Sequence, residues 1–418
     1  MDGGEPNFDP RQPSVMADPY PALKRLRRED PIHWSPILKG WILTRHRDVR
    51  AALHDSRLSA DRITPFMASQ PPGRRAALSG LERLLSRWAV FVDPPTHGRL
   101  RALLNAAFRP RAIEALAPAI TIVVDGLIDR IVAAAESDGR GRCDLVADFA
   151  YPLPATVIAG ILGVPLGDVG RFKDWSDDLA AFVGGAQSMP DKYERAVRGI
   201  AEMEAYFRGL IEERRGSGGE GDLLGDLIAA QERAQGLDFD ELVATAILIL
   251  FAGHETTTNL IGNGLIALLR HPDELERLRR ERALLESAVE EMLRYDGPAA
   301  SVTRVAREAF ELDGRPIAAG DRLFLMLGAA NRDPEAFADP DRFDIGRPAT
   351  STSLAFGYGI HYCVGAPLAR LEARIAFDRL LTRLERPGLV GPLEWSDNLV
   401  LRGVRMLPIS YCVSGTIS

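Results

Sequence analysis

The chain has 418 residues, of which 46% are hydrophobic and 26% charged, proportions that suit a water-soluble protein with a large buried core. Its 51 basic and 58 acidic residues leave a net charge of −7, which argues against a nucleic-acid-binding surface as the main function. Cys143, Cys363 and Cys412 can form neither a disulfide framework nor a CxxC zinc site. The acidic start, Met1 to Pro6, lacks the apolar stretch of a secretory signal. The apolar segment Leu242 to Gly253 spans 12 residues, too few for a bilayer. A cytoplasmic monomer without nucleic-acid or membrane partners is the expectation.

In chain order, the pattern from Ile32 to Thr44 predicts a strand pair turning at Lys39-Gly40. Residues 62–75 predict a loop, because Pro65, Pro71 and Pro72 disfavour both helix and ladder. A helix is predicted from Thr96 to Phe108, and another over Ile120–Ala135 after Pro110 and Pro118. Ala196–Arg215 predicts a helix closed by the linker-like Gly216–Gly221. Asp238 or Asp240 caps a helix running without proline to Arg270, about 45 Å long and apolar in its middle. Glu274–Tyr295 predicts a further helix, and Val302–Met326 predicts strands with a hairpin turn at Asp313-Gly314. A last helix, about Val364 to Glu385, precedes short strands ending at Cys412. The fold class is mainly α (α+β), one domain over 1–418 with its helical core at about 76–300 and 364–386.

The densest chemical signal is Phe356-Gly-Tyr-Gly-Ile-His-Tyr-Cys363-Val-Gly-Ala-Pro-Leu-Ala-Arg370. Cys363 stands just before a helix with Pro367 in its first turn, where free amide N–H groups favour a thiolate. Gly357, Gly359 and Gly365 let backbone approach a flat, bulky group, and Phe356 can pack on its face. A thiolate so presented suits an axial iron ligand. A dinucleotide fingerprint would need glycine where Tyr362 stands. A nucleophilic cysteine beside His361 is the other reading of these residues.

This segment resembles the cysteine loop of the cytochrome P450 superfamily of haem-thiolate monooxygenases, and the likeness extends from about Pro19 to the C-terminal strands. The resemblance implies the family's fold, haem b (iron protoporphyrin IX) as cofactor and Cys363 as the metal ligand. It gives a role to the second motif, Phe251-Ala-Gly-His-Glu-Thr-Thr257, whose zinc-protease reading fails because position 258 is threonine. By resemblance, Glu255 passes protons and Thr256 hydrogen-bonds dioxygen, while Ala252 and Gly253 flank substrate and oxygen. Four residues match positions that hold haem propionates: His97, Arg101, Arg304 and His361. Glu291, Arg294 and Arg342 (of Pro340-Asp-Arg-Phe343) match the family's buried structural network behind the cysteine loop.

The implied reaction inserts one atom of O2 into a lipophilic small molecule, by hydroxylation or epoxidation, in secondary metabolism or xenobiotic oxidation. The implied electron donors are a ferredoxin and an NAD(P)H-dependent ferredoxin reductase, docking on a basic face near Cys363 with Arg101 and Arg370. The acid–alcohol pair Glu255-Thr256 favours this route over a peroxide-driven one. The expected substrate pocket is apolar, with Phe66, Met67, Trp88, Val90, Phe182, Val183, Met189, Ala252, Val302, Leu399 and Val400 around it. No charged pair stands out in the sequence to recognise an ionic substrate.

Overall fold

Asp238 starts the longest helix by a capping box: its carboxylate accepts from Glu241 N at 2.7 Å, and Glu241 Oε2 accepts from Asp238 N at 3.0 Å. This central helix, Phe239–Arg270, has every residue from Leu242 to Phe251 buried, so it runs through the interior rather than along the surface. The computed structural model describes residues 8–186, 189–217, 222–232, 237–348 and 352–415. Around the central helix pack Pro152–Leu162, Lys192–Ser217, Leu285–Asp296 and Ala366–Arg383. Gly253 marks the tightest approach: a Cβ there would stand 2.5 Å from Ile158 Cγ1 of the Pro152–Leu162 helix. Its smallness is therefore demanded by helix packing.

Beside the helices, the described residues include ten strands. A five-stranded sheet has the order β1 (Ile32–Ser35), β2 (Gly40–Leu43), β8 (Arg322–Leu325), β5 (Val302–Ala306), β3 (Leu58–Ser59), with β2 and β8 parallel and its other pairs antiparallel. A three-stranded sheet joins β4 (Arg140–Asp144), β10 (Pro408–Val413) and β9 (Leu384–Leu389). The hairpin β6 (Phe310–Leu312) and β7 (Arg315–Ile317) turns at Asp313 and Gly314, both at positive φ (49° and 76°), as the Asp-Gly dipeptide requires. Among the described residues no helix is long and apolar enough to cross a membrane.

The proline-rich stretch 62–75 is not a loop. It forms helices Ile63–Ala68 and Pro72–Ala77, because Pro65 lies within the first turn, where no intrahelical N–H is needed, and Pro72 opens its own helix. The expected Glu274–Tyr295 helix is two, Pro272–Arg280 and Leu285–Asp296, separated where Glu281 leaves helical geometry (φ −118°, ψ 70°). The expected linker begins later than Gly216, since the Lys192–Ser217 helix includes it; positions 218–221 fall outside the described residues.

Behind the cysteine loop lies a buried ion network that differs from the expected one by one member. Arg294 makes two 2.7 Å bonds to Glu291, both residues being 2% exposed, and donates to the carbonyls of Asn331, Pro340 and Arg342. The second guanidinium on Glu291 belongs to Arg347, at 3.1 Å, and not to Arg342, whose side chain is exposed and which lends only its carbonyl. The sequence misleads here because Arg342 follows a turn at Asp339 (φ 44°) that directs it outward. Asn331 then holds Leu354 N at 2.7 Å, which fixes the entry to the cysteine loop. Arg347→Ala is expected to cost about 3–5 kcal/mol by leaving buried charge on Glu291 short of a partner, whereas Arg342→Ala changes stability by less than about 0.5 kcal/mol; denaturant unfolding of both variants checks this.

Candidate active site

The cysteine loop is shaped by two glycines at φ 74°, Gly357 and Gly359. Phe356 O accepts from Cys363 N at 3.0 Å, closing the loop so that Cys363 arrives at the N-terminus of Ala366–Arg383. There the N–H groups of Gly365 and Ala366 point to its sulfur, and Arg101 and Arg370 add positive charge. Burial nevertheless pushes the thiol up from its ordinary value. The sulfur is accessible by surface area although protein surrounds it, so it opens onto interior space. Arg370 clamps the loop from behind, paired with Glu290 and with its guanidinium 4.5 Å from the Phe356 ring centre.

Next to the thiol gather two guanidinium groups, Arg101 and Arg304, and two imidazoles, His97 and His361. The rings of His97 and His361 are 4.2 Å apart, and both imidazoles are held below their ordinary range. Burial is the larger cause in each; Arg101 adds to it at His97, and Arg304 at His361, which falls to about 3. Burial also lowers Arg101, and it brings Arg304, on β5, down to about 10. Arg62 is likewise lowered to about 10, by burial and then by Arg304. The one acid of this group, Asp93, is already engaged by Ser59, the amide of Ala60 and Arg307 at 2.6 Å. Buried positive charge without compensation calls for an anionic ligand. The two propionates of haem b supply that charge, and the residues present fit the group.

Across the molecule, the central helix also opens inward. Ala252 is exposed although the ten residues before it are buried, and Thr256, one turn on, donates to Ala252 O at 3.2 Å. Glu255 has its carboxyl raised to about 7, first by burial and then by Asp177. It lines a cavity of about 280 Å3 with Tyr151, Lys173, Asp177 and Arg405. Lys173 and Asp177 form a 2.6 Å ion pair, 42% and 44% exposed, so this cavity connects a buried acid with solvent. Next to it, His254 is buried, donates from Nδ1 to Leu250 O at 2.7 Å, and is depressed to about 4 by burial.

Of the expected substrate residues, Phe66, Phe182, Val183, Leu399 and Val400 line one cavity of about 560 Å3. Trp88 does not; it is 1% exposed in the core, 5.5 Å from Phe251 and stacked on Phe91. Val90 faces solvent at 45% exposure, Met67 is fully buried, and Val302 packs into the second hydrophobic cluster beneath the large sheet. Met189 lines the Glu255 cavity instead. Sequence reasoning missed Arg62, Arg347, the Lys173–Asp177 pair and Glu372. Glu372 carried a legible signal, a carboxylate on the apolar stripe of Leu368 and Leu371; Arg62 carried none, in a stretch read as loop.

A closed thiol loop, guanidinium and imidazole groups clustered beside it and an acid–alcohol pair on a buried helix are the features of the haem-thiolate class of oxygenase. A family model described as Cytochrome P450 matches residues 69–386. The chain is 45% identical over 403 residues to "Cytochrome P450 monooxygenase PikC" of Streptomyces venezuelae, covering 94% of this chain and 91% of that protein. It is 38% identical over 401 residues to "Vitamin D(3) 25-hydroxylase" of Pseudonocardia autotrophica, covering 94% of each. The crystal structure of CalO2 superposes with a TM-score of 0.87 at 35% identity, covering 98% of this chain and 99% of that one. The chain belongs to the cytochrome P450 family. It is a monooxygenase, an oxidoreductase that incorporates oxygen with haem b as cofactor.

Glu372 sits fully buried on the cysteine-loop helix, its carboxyl oxygens without a hydrogen bond and the Thr257 hydroxyl close by. Burial raises it to about 8, so the folded protein holds a proton that the unfolded chain releases above about pH 4.5. Its presence therefore weakens the fold increasingly as pH rises from about 4.5 to 8. Glu372→Gln is expected to be near-neutral at about pH 5 and stabilising by about 1–3 kcal/mol at pH 8, read from thermal unfolding at both values.

Proposed function

We propose that the protein hydroxylates or epoxidises a lipophilic small molecule, taking electrons in the cytoplasm from a ferredoxin served by an NAD(P)H-dependent reductase. The family uses O2, an electron-transfer partner and a lipophilic substrate. The observation that carries the reading is the cluster of the Arg101 and Arg304 guanidinium groups with the His97 and His361 imidazoles beside the Cys363 thiol, a set that fits a flat dianion with an iron centre. Relatives named for a vitamin D3 hydroxylation and a monooxygenase reaction support a lipophilic product class.

Haem, when bound, supplies the iron that activates O2. Cys363 would be the residue that holds that iron, with the Gly365 and Ala366 amides facing its sulfur. Arg101 and Arg304 would meet the propionates with positive charge, and the His97 and His361 imidazoles would donate hydrogen bonds to them. Thr256 presents its hydroxyl on the Ala252 face and is freed to donate elsewhere by releasing the Ala252 carbonyl. Glu255, carrying its proton below about pH 7, gives it toward Thr256 and recovers it through the cavity that ends at Lys173 and Asp177. The apolar wall of Phe66, Phe182, Val183 and Val400 keeps water from the substrate.

The electron donor docks where the cysteine-loop helix nears the surface. Arg101 is turned inward and Arg370 is spent on Glu290, so the docking role passes to exposed Arg109 and Arg111, on and beside the short helix Pro110–Glu114 that packs on the cysteine-loop helix. Arg109→Glu with Arg111→Glu should slow ferredoxin-driven reduction at least tenfold at low salt and leave substrate-induced Soret shifts unchanged, as stopped-flow and titration will read; unaltered reduction overturns this surface.

Glu255→Gln should lower product formation about 10²-fold and remove the loss of turnover above about pH 7 that deprotonation of Glu255 imposes. Thr256→Ala should keep O2 consumption but divert it from product. Both follow from parallel measurements of O2, NAD(P)H and product across pH 6 to about 8.5.

A further inference from the structure

The substrate cavity is not purely apolar. Besides its hydrophobic wall it is lined by Lys39, Arg62, Lys192 and Arg322, and by no aspartate or glutamate among the described residues. The nearby acids are committed elsewhere. Asp61 accepts the amides of Ile63 and Thr64, and Asp321 accepts from Trp41 Nε1 at 2.9 Å and from Ala318 N. Asp397, the acid that acts on Lys192, lines the separate Glu255 cavity.

Arg62 is the inner cation of the four. Its guanidinium has five N–H donors, of which one reaches Val183 O at 2.7 Å, while its plane lies 4.7 Å from the centre of Phe91. The neighbouring charge is repulsive, from Arg304, and among the described residues no ion pair relieves it. Burial weakens its hold on the proton, and Arg304 adds to this. Such a fork, apolar on one side and open to a cavity on the other, is built to receive an oxyanion. The apolar continuation is at hand: Phe66 packs edge-on against Phe182 at 5.6 Å and stacks on Tyr193 at 6.2 Å, giving a wall for a chain or ring system.

We propose that this cavity takes an amphiphile with an apolar body and a terminal oxyanion, a carboxylate or a phosphate ester, received by Arg62 with Lys39 and Lys192 toward the opening. The inference rests on the monooxygenase reading, because the cavity is taken as the substrate's, and it narrows that substrate from lipophilic to anionic and amphipathic. No charged pair stands out in the sequence because these cations come from four separate segments and meet only in the fold.

The test titrates the haem-loaded protein with dodecanoate, dodecyl phosphate, methyl dodecanoate and dodecyltrimethylammonium, following the Soret shift or, for a silent binder, calorimetric heat. At least one anion should bind about tenfold or more tightly than the methyl ester and the cation, with affinity falling as salt rises. The tighter of the two anions identifies the head group. Arg62→Gln should bring anion affinity down to that of the ester while leaving the ester within about twofold, and Lys192→Gln should do so in part. Equal affinity for anion and ester, or an unchanged preference in Arg62→Gln, overturns the proposal. Loss of haem from Arg62→Gln would mean that Arg62 serves a propionate, which also overturns it. Each preparation is checked by its reduced CO spectrum. A normal thiolate-type band beside a failed preference removes the anion site alone, whereas absence of that band removes the monooxygenase reading beneath it.

Discussion

Electrostatic frustration around one interior space organises this molecule. His97 and Arg304 are buried, Arg101 and His361 are half-buried beside them, and Asp93, the acid at their side, is engaged by other donors. Desolvating like charges together is costly unless a counter-charge enters. The protein therefore carries a site whose stability is completed from outside the chain. The thiol is placed by the same logic: two amides and two guanidinium groups favour a thiolate, while burial resists it until a metal takes the proton's place.

The rest of the structure holds these groups still. The cysteine loop is gripped at both ends, by Phe356 O on Cys363 N and by Asn331 on Leu354 N. Asn331 is itself tied through its carbonyl to Arg294, in the Glu291–Arg294–Arg347 network, so a buried ion cluster some distance from the chemistry sets the position of the sulfur. The central helix supplies the opposite boundary. Gly253 lets it sink against Ile158, and this places Ala252 and Thr256 on its open face and Glu255 toward the polar cavity.

Motifs whose function depends on contiguous residues were legible without a structure. Phe356 to Arg370 needs its glycines, cysteine and helix start in one run, and Phe251 to Thr257 needs its pair at adjacent positions, so both could be read directly. Long amphipathic or apolar helices and the Asp313-Gly314 hairpin were legible for the same reason, since their causes are local. What failed were features assembled from distant segments. Arg347 outcompetes Arg342 for Glu291 only because of a turn at Asp339, and Pro65 and Pro72 begin helices where the composition suggests a loop. The pocket residues fared unevenly because pattern gives apolarity but not direction: Trp88 and Val90, two positions apart, end in the core and in solvent. The cations that line the substrate cavity were invisible, being 39, 62, 192 and 322 in the chain.

The central claim is that Cys363 binds haem iron as a thiolate, and the CO difference spectrum of the dithionite-reduced protein tests it most directly. The account requires a strongly red-shifted Soret band in the native protein and its loss in Cys363→His, with haem retained through the propionate-binding cations. A folded native protein that carries haem without that band, or a Cys363→His variant that keeps it, would contradict the account.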